Sequence, residues 1–202
     1  MPEKDNEKTE TLSPKQLTRL IEVLNEHGTE PAALIMKLAL FTGMRRGEIL
    51  KLQWQDVDLQ KGFIFLADPK GGQSQKLPLS PAAVEVLKQC PRHKTSLYVF
   101  PGRHGGKRAT TKRLIDKLKN EAGLPDDFRP LHGLRHVYAS TLVESGVDLY
   151  RVQKLLTHKS TAMTQRYSHL KDETLRSAAV TAAAAILGGP ESKAEKTGTE
   201  TK

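Results

Sequence analysis

Residues 42–48, Thr-Gly-Met-Arg-Arg-Gly-Glu, separate two predicted helices and set the arrangement of the rest of the chain. The helix before them follows Pro31, and its predicted buried residues are Leu34, Ile35, Leu38 and Phe41. Gly43 predicts the end of this helix, because glycine adopts the left-handed conformation of a helix C-terminus at little steric cost. A second helix is predicted to start at Arg45, so residues 42–48 form the turn between the two.

Helical patterns continue on both sides of this turn. Upstream, Ser13-Pro14 predicts an N-cap and a first helical position, and that helix is expected to end at His27-Gly28. Downstream, a helix is predicted from Ser80-Pro81, and the core candidates from there onwards are Val84, Leu87, Leu114, Ile115 and Leu118. After Pro130 the predicted helices are His132 to about Glu144, Asp148 to about Leu156, Ser160 or Thr161 to about His169, and a last one through Leu175 to Leu187.

The stretch from Val57 to Leu79 changes to a period of two, which is typical of strands. Phe63, Phe65 and Leu77 follow this period on either side of Gly71-Gly72, a pair that predicts a hairpin turn. We therefore predict an α+β fold that is mainly α-helical and contains a small antiparallel β-sheet.

The 202 residues are enough for one hydrophobic core. We place a single domain at residues 12–189, because the flanking segments 1–11 and 190–202 are almost wholly polar and predict disorder. Cys90 is the only cysteine, which excludes an internal disulfide. We expect Cys90 to be a small buried apolar residue.

The chain is basic, with 32 Lys and Arg against 23 Asp and Glu, a formal net charge of +9 and a pI near 9.6. A positive surface of this kind favours a polyanionic partner, and nucleic acid is the leading class. A basic composition also suits solubility or weak attraction to acidic membranes. The sequence contains no apolar stretch of membrane-spanning length, so we expect a soluble cytoplasmic protein with no membrane partner.

Basic residues are concentrated after the helix predicted from Ser80-Pro81, in a loop and in the helix that follows it. They are Arg103, Lys107, Arg108, Lys112 and Arg113. Because Asp116 is the only acid among these residues and the lysines that follow, we predict that they contact a phosphate backbone. The alternative is an ordinary solvated face.

Two residue pairs predict a phosphate site. Arg45 and Glu48 lie three apart on one helix face, so the carboxylate can hold the guanidinium, although an ordinary surface ion pair has the same pattern. His132 and Arg135 repeat this spacing at a helix start, where backbone N–H groups favour an anion. His132 and His136 are four apart, but no carboxylate follows in the zinc-protease pattern, so we predict no metal site.

His158 and Tyr167 are nine residues apart and would face opposite ways on one unbroken helix. A break at residues 159–161, with a hydroxyl N-cap, would bring them together and place Tyr167 in the second turn of a new helix. Such a tyrosine is more often a half-buried core residue with its hydroxyl in solvent. The polar neighbours of Tyr167 favour a functional phenol instead.

Three motifs resemble those of the tyrosine recombinase (phage integrase) family and occur in that family's order. They are Thr42-Gly-Met-Arg-Arg-Gly-Glu-Ile49, Leu131-His-Gly-Leu-Arg-His136, and Leu155-Leu-Thr-His-Lys-Ser-Thr161 followed by Tyr167-Ser-His169. The resemblance runs from about Leu12 to the last helix. It implies the catalytic-domain fold of that family, the fold of DNA breaking-rejoining enzymes.

The resemblance also implies roles for individual residues. The set that activates the phosphate would be Arg45, Lys70, His132, Arg135 and His158, with Glu48 supporting Arg45 and Tyr167 as the nucleophile. Lys76, on the other arm of the same hairpin, competes with Lys70 for its role. Thr157 departs from the family, which usually has Gly before this histidine, and a β-branched residue restricts the turn. The family's usual N-terminal DNA-clamping domain is missing, so we expect the catalytic domain of a longer recombinase or a naturally short form.

The function implied is site-specific recombination or integration of double-stranded DNA through a 3′-phosphotyrosyl intermediate, without a metal or other cofactor. The resemblance also implies a homo-oligomer, a tetramer on DNA, joined through the last helix, although that helix could equally pack on its own core. Two alternatives remain open. One is strand relaxation of the type IB topoisomerase kind, and the other is a non-catalytic DNA-binding accessory module.

Overall fold

The structure is a computed structural model that describes residues 10–66, 74–158 and 161–168. In these ranges the chain folds into helices and one small antiparallel sheet, which confirms the predicted α+β class. The helices are α1 (Pro14–Glu26), α2 (Pro31–Thr42), α3 (Arg46–Lys51), α4 (Pro81–Gln89), α5 (Lys112–Glu121), α6 (Pro130–Glu144), α7 (Leu149–Leu155) and α8 (Ala162–Gln165), with a short 3-10 turn at Trp54–Asp56. Lys70, the predicted last helix, the tail at 190–202 and most of the segment 1–11 lie outside the described residues.

Helix α2 is the central helix of the fold. Nearly all of its residues are buried, and it packs against α1, α3, α4, α5 and α6. It ends where the sequence predicts, at Gly43, whose φ of 64° is left-handed. A Cβ at Gly43 would lie 2.4 Å from the ring of Tyr138 on α6, so glycine also permits the close approach of the two helices.

The sheet consists of β1 (Val57–Asp58), β2 (Phe63–Leu66) and β3 (Gln75–Pro78) in the order β1-β2-β3, with antiparallel neighbours. Ile64 on β2 is paired with Leu77 on β3, and both are buried. Phe65 faces the other way and is 47% exposed. The four residues of β2 are all apolar, so the sequence predicts the strand but not which of its faces meets the core.

Two details of the C-terminal half differ from the prediction. Leu114 was expected in the core but is 45% exposed, whereas Ile115 and Leu118 of the same helix are buried. Helix α8 has only four residues, so Tyr167 follows its end rather than lying in its second turn. The prediction extended α8 too far, because the apolar and polar pattern after residue 161 does not mark a stop.

The buried apolar residues form two separate groups. The main core unites α1 to α5, the sheet and the first half of α6. The second group, called here the small cluster, contains Ala139 and Val143 of α6, Val152 of α7, Leu156 and Tyr167. Helix α6 contributes to both groups, so it joins them. None of the helices in the described part of the chain combines the length and apolarity of a bilayer span.

Candidate active site

Arg45 is held at the start of α3 by its own helix. Its backbone N–H donates to Glu48 Oε2 at 2.8 Å, and its guanidinium donates to Glu48 Oε1 at 2.9 Å. Arg45 is therefore the N-cap of α3 rather than a residue on its face, and Glu48 fixes both its backbone and its side chain. The Glu48 side chain is only 9% exposed, so this ion pair is unlike the solvated surface pair that the spacing alone allowed.

Arg135 lies on α6, is 7% exposed and reaches between the two groups of buried residues. Its guanidinium donates to the carbonyl of Gly43 at the end of α2 and to the carbonyl of Leu156 at the end of α7. Burial is the main cause that lowers the pKa of Arg135 to about 10, followed by the positive charge of Arg45. Since its pKa stays well above neutrality, the guanidinium remains a cation.

The two guanidiniums meet at the end of α7. Arg135 donates to the Leu156 carbonyl, while Arg45 donates to the next carbonyl, that of Thr157, at 3.2 Å, and to the Thr157 hydroxyl at 2.7 Å. The C-terminus of a helix carries partial negative charge, which favours cations there. Two arginines that are 90 residues apart in the sequence thus converge on consecutive peptide groups.

Thr157 ends α7 in a conformation that is rare for its residue type. Its φ is 53°, its N–H donates to the Lys154 carbonyl at 3.1 Å, and the His158 N–H donates to the Gln153 carbonyl at 3.1 Å. This is the Schellman arrangement, in which glycine normally takes the left-handed position. A β-branched residue is strained there. The Thr157 hydroxyl, which contacts Arg45, is the compensation that glycine could not supply.

His158 follows this turn and faces α8. Its Nδ1 lies 2.9 Å from the hydroxyl of Thr164. Burial, followed by the charges of Arg135 and Arg45, lowers the pKa of His158 to about 3. The imidazole is therefore neutral at pH 7 and can act as a hydrogen-bond donor beside the arginine pair.

Tyr167 is 2% exposed, so its ring belongs to the small cluster. The prediction that its polar neighbours disfavour a core position is wrong, because the ring packs inward although Gln165 and Ser168 beside it are exposed. The hydroxyl lies 2.5 Å from Nδ1 of His136. Burial raises the pKa of Tyr167, and the charges of Arg166 and Arg135 oppose this effect.

His136 is a site residue that the sequence analysis weighed only as a possible metal ligand. Its ring lies between Tyr167 and His132, with Nε2 at 2.9 Å from Nε2 of His132. The signal was present in the sequence: His136 follows Arg135 directly and shares a helix face with His132 four residues earlier. The sequence did not show that this face meets the tyrosine.

All described residues of the predicted catalytic set line one cavity of about 1260 Å³. They are Arg45, Glu48, His132, Arg135, His158 and Tyr167, joined by His136. Eight Lys and Arg residues line this cavity against five Asp and Glu, which favours an anion. The volume exceeds that of usual small-ligand pockets, roughly 300–1,000 Å³, and suits a segment of a polymer.

The five basic residues predicted to contact DNA have different surroundings. Lys112 lines the large cavity and forms an ion pair with Asp116 at 2.8 Å. Arg108 is half-buried and lines a different cavity of about 210 Å³ beside Pro31 and Phe100. Arg103, Lys107 and Arg113 are exposed. Burial of Arg108 lowers its pKa.

The sequence profile described as the phage integrase family matches residues 10–174. This match covers most of the chain and includes the arginine, histidine and tyrosine positions that line the cavity. The chain belongs to the phage integrase family.

Two curated relatives show how the chain compares with longer proteins. It is 35% identical over 169 residues to tyrosine recombinase XerC of Xanthomonas axonopodis pv. citri (strain 306), a match that covers 80% of this chain and 54% of XerC. It is 30% identical over 172 residues to tyrosine recombinase XerA of Pyrococcus furiosus, covering 83% of this chain and 60% of XerA. The chain thus spans between half and two thirds of the length of these relatives.

A solved structure shares the fold and carries DNA. The crystal structure of XerH site-specific recombinase bound to a palindromic difH substrate, a post-cleavage complex, superposes with a TM-score of 0.71 at 26% identity, over 88% of this chain and 55% of that one. The fold is therefore that of a tyrosine recombinase catalytic domain.

Proposed function

We propose that this chain is the catalytic domain of a site-specific recombinase that cleaves and rejoins double-stranded DNA through a covalent 3′-phosphotyrosyl intermediate. The observation that carries the proposal is the convergence of Arg45 and Arg135 on consecutive carbonyls, beside a cavity that Tyr167 also lines. Relatives and fold neighbours that are named recombinases support it.

Arg45 and Arg135 are proposed to bind the non-bridging oxygens of the scissile phosphate. A guanidinium is a planar fork that matches two such oxygens. As the Tyr167 oxygen attacks phosphorus, negative charge grows on these oxygens, and both forks donate to them more strongly than in the ground state. His158, neutral and beside both arginines, supplies a further hydrogen-bond donor.

The phenol must lose its proton to become a nucleophile, since its ordinary pKa is about 10. His132 is proposed as the base of this step. Lys70 is proposed as the general acid for the departing 5′ oxygen, following the family resemblance. The phosphotyrosyl bond retains the energy of the phosphodiester, so attack by a 5′-hydroxyl can reseal the strand without ATP, and the arginines supply the positive charge that a metal ion would otherwise provide.

The proposal extends to partners and location. Lys112, Arg103, Lys107 and Arg113 are proposed to contact the DNA backbone, and the active species on DNA is proposed to be a tetramer that uses the last helix. A DNA substrate and a single, unpaired cysteine favour a cytoplasmic location.

A covalent-capture experiment tests the proposal even though the DNA site is unknown. The chain is incubated, in a chelator, with a pool of nicked duplexes that carry a randomised stretch, so that cleavage near the nick releases a short strand and traps the adduct. Protein–DNA adducts that survive denaturant are recovered and sequenced. We expect adducts enriched for one sequence with the protein, and none with Tyr167→Phe.

Three results would contradict the proposal in different ways. Adduct that persists in Tyr167→Phe would assign the nucleophile to another residue. Adduct without sequence enrichment, together with relaxation of supercoiled plasmid, would indicate topoisomerase chemistry. Specific DNA binding without any adduct would indicate a non-catalytic module.

A further inference from the structure

Three side chains form a continuous hydrogen-bonded line from the buried phenol to the protein surface. The Tyr167 hydroxyl lies 2.5 Å from Nδ1 of His136, and Nε2 of His136 lies 2.9 Å from Nε2 of His132. His136 is 4% exposed, whereas His132 is an exposed residue. The inner end of the line is thus the proposed nucleophile and its outer end reaches solvent.

The chemistry of imidazole gives this line a direction. A neutral imidazole has one N–H donor and one acceptor nitrogen. If the phenol donates to Nδ1 of His136, then Nε2 of His136 carries the proton and donates to His132. His136 cannot hold an extra proton well, because burial, then His132, Arg166, Arg135 and Arg129, lower its pKa to about 4.

We propose that His136 is the residue that takes the proton from Tyr167 during strand cleavage and relays a proton to His132. This inference rests on the proposed function and adds a catalytic residue to it. His132 is then the second acceptor in the line, because the phenol contacts His136 directly.

The step balances in atoms and charge. The Tyr167 O–H bond breaks and a proton bonds to His136 Nδ1, while the His136 Nε2–H bond breaks and that proton bonds to His132 Nε2. The phenolate electron pair forms the new O–P bond, the bond from phosphorus to the 5′ oxygen breaks, and that oxygen takes a proton from the proposed general acid, Lys70. His136 ends neutral in its other tautomer, His132 ends as an imidazolium, and rejoining reverses both transfers so that the phenol departs protonated.

The surroundings explain why the positive charge should not stop at His136. Arg135 is on its own helix, Arg129 precedes that helix, and Arg166 approaches from the end of α8, so three cations oppose a charge there. Burial, followed by the charge of Arg129, also lowers the pKa of His132, but Glu10, which is paired with Arg129, partly opposes this effect. The exposure of His132 also allows hydration of the imidazolium and release of the proton to solvent.

His136→Gln tests the relay, because glutamine can hydrogen-bond the phenol but cannot pass a proton from one atom to another. The matched control is His104→Gln, an exposed histidine outside the cavity. Single-turnover adduct formation is measured against pH on a nicked duplex that the unaltered protein cleaves. DNA affinity and melting temperature report whether each variant is folded.

We expect the unaltered protein and His104→Gln to share a rate that rises with pH and reaches a plateau below the phenol's own pKa. His136→Gln should cleave roughly 10²–10⁴-fold more slowly at pH 7, a usual contribution of general acid–base catalysis. Its rate should then increase about tenfold per pH unit, because hydroxide must remove the phenol proton. Added imidazole should restore cleavage in His136→Ala, where the side chain leaves space.

Two results would overturn the relay. The first concerns the variants: His136→Gln keeps the rate of the unaltered protein, or it is slow but keeps the same pH profile while imidazole fails to rescue His136→Ala.

The second concerns the unaltered protein in mixtures of light and heavy water. If two protons move in the step, the cleavage rate should depend on the deuterium fraction along a curve, and a linear dependence excludes the relay. A protein that forms no adduct at all fails the proposed function itself, and the relay with it.

Discussion

The main core and the small cluster differ in size and in what they hold. The main core collects buried residues from six helices and the sheet, and it positions Arg45 through α2 and α3. Among the residues that the structure describes, the small cluster has five buried members, and two of them, Leu156 and Tyr167, belong to the segments that form the nucleophile side of the cavity. Because fewer buried apolar side chains of the described ranges gather there, we expect less free energy to oppose local opening.

This difference teaches how the site is divided. The phosphate-binding side rests on the main core, while the nucleophile rests on the small cluster, which we expect to open more readily. Arg135 and the Leu156–Thr157 peptide groups connect the two sides. Substitutions on either side test this division, and the one with the largest expected effect comes first.

Arg135→Lys should have the largest effect, because a lysine ammonium cannot donate to both carbonyls and to a phosphate as a fork does. We expect cleavage to fall about 10²–10³-fold, the usual cost of losing one preorganised donor at a developing oxyanion. Single-turnover adduct formation measures this. The matched control is Arg19→Lys, which is exposed, does not line the cavity and is not a proposed DNA contact, and an equal loss in both variants would contradict the role of Arg135.

Leu38→Ala and Leu156→Ala compare the two groups directly, since both leucines are 0% exposed. Leu38→Ala should lower the free energy of global unfolding by roughly 3–5 kcal/mol. Because other helices pack around α2, its neighbours cannot move in to fill the space that the removed side-chain atoms leave. Leu156→Ala should lower it less, while amide hydrogen exchange of α7 should accelerate selectively and cleavage should slow.

Urea unfolding and hydrogen exchange measured by mass spectrometry distinguish the two outcomes. Uniform acceleration of exchange along the whole chain in Leu156→Ala would mean that the small cluster does not open separately.

Acid should weaken the small cluster through His136. Its pKa in the folded protein is about 4, against 6.5 when unperturbed, so the unfolded chain binds the proton more tightly. The folding free energy should therefore be unaffected above pH 6.5, fall as the pH drops below it, and reach a loss of about 3 kcal/mol near pH 4. Buried Cys90 of the main core, with a pKa of about 12, stays uncharged throughout this range.

Urea unfolding at pH 7, 6 and 5 measures this effect, with His136→Gln as the comparison. The variant should lose less stability on acidification than the unaltered protein, and identical pH dependence in the two would remove His136 as the cause.

Thr157→Gly should have the smallest effect, because two changes oppose each other. Glycine relieves the left-handed strain, which costs a β-branched residue roughly 1–2 kcal/mol. It also removes the hydroxyl bond to Arg45 and increases the backbone entropy of the unfolded chain, each worth about 1 kcal/mol. We expect stability within about 1 kcal/mol of the unaltered protein and cleavage slowed by up to about tenfold.

Thermal melting and adduct kinetics check this balance. Thr157→Ala keeps the strain and loses the hydroxyl, so it should be less stable than Thr157→Gly. The opposite order would mean that the turn at residue 157 is not strained.

Much of the fold could be predicted because its signals are local. Pro, Gly and hydroxyl residues mark helix ends directly, as at Ser13, where a capping box forms, and at Gly43. The three-residue spacing of Arg45 and Glu48 likewise predicted their contact, although Arg45 proved to be a cap.

The remaining features depend on tertiary contacts that no local pattern encodes. The choice of face for Phe65 depends on what packs above the sheet, and the burial of Tyr167 depends on α6. The contact between Tyr167 and His136 joins residues 31 apart, so no spacing pattern in the sequence predicts it. The surroundings of the basic residues also depend on tertiary contacts, because Arg108 lines a second cavity that the sequence does not reveal.

The turn that ends α7 has a consequence for the protein before DNA binds. Two guanidiniums side by side would repel each other and move apart unless negative groups lay next to them. The Glu48 carboxylate supplies a full negative charge to Arg45, and the carbonyls of Leu156 and Thr157 add partial negative charge that keeps both cations in place. An incoming phosphate then meets a receptor that is already assembled, and its binding need not draw the two arginines together from separate positions.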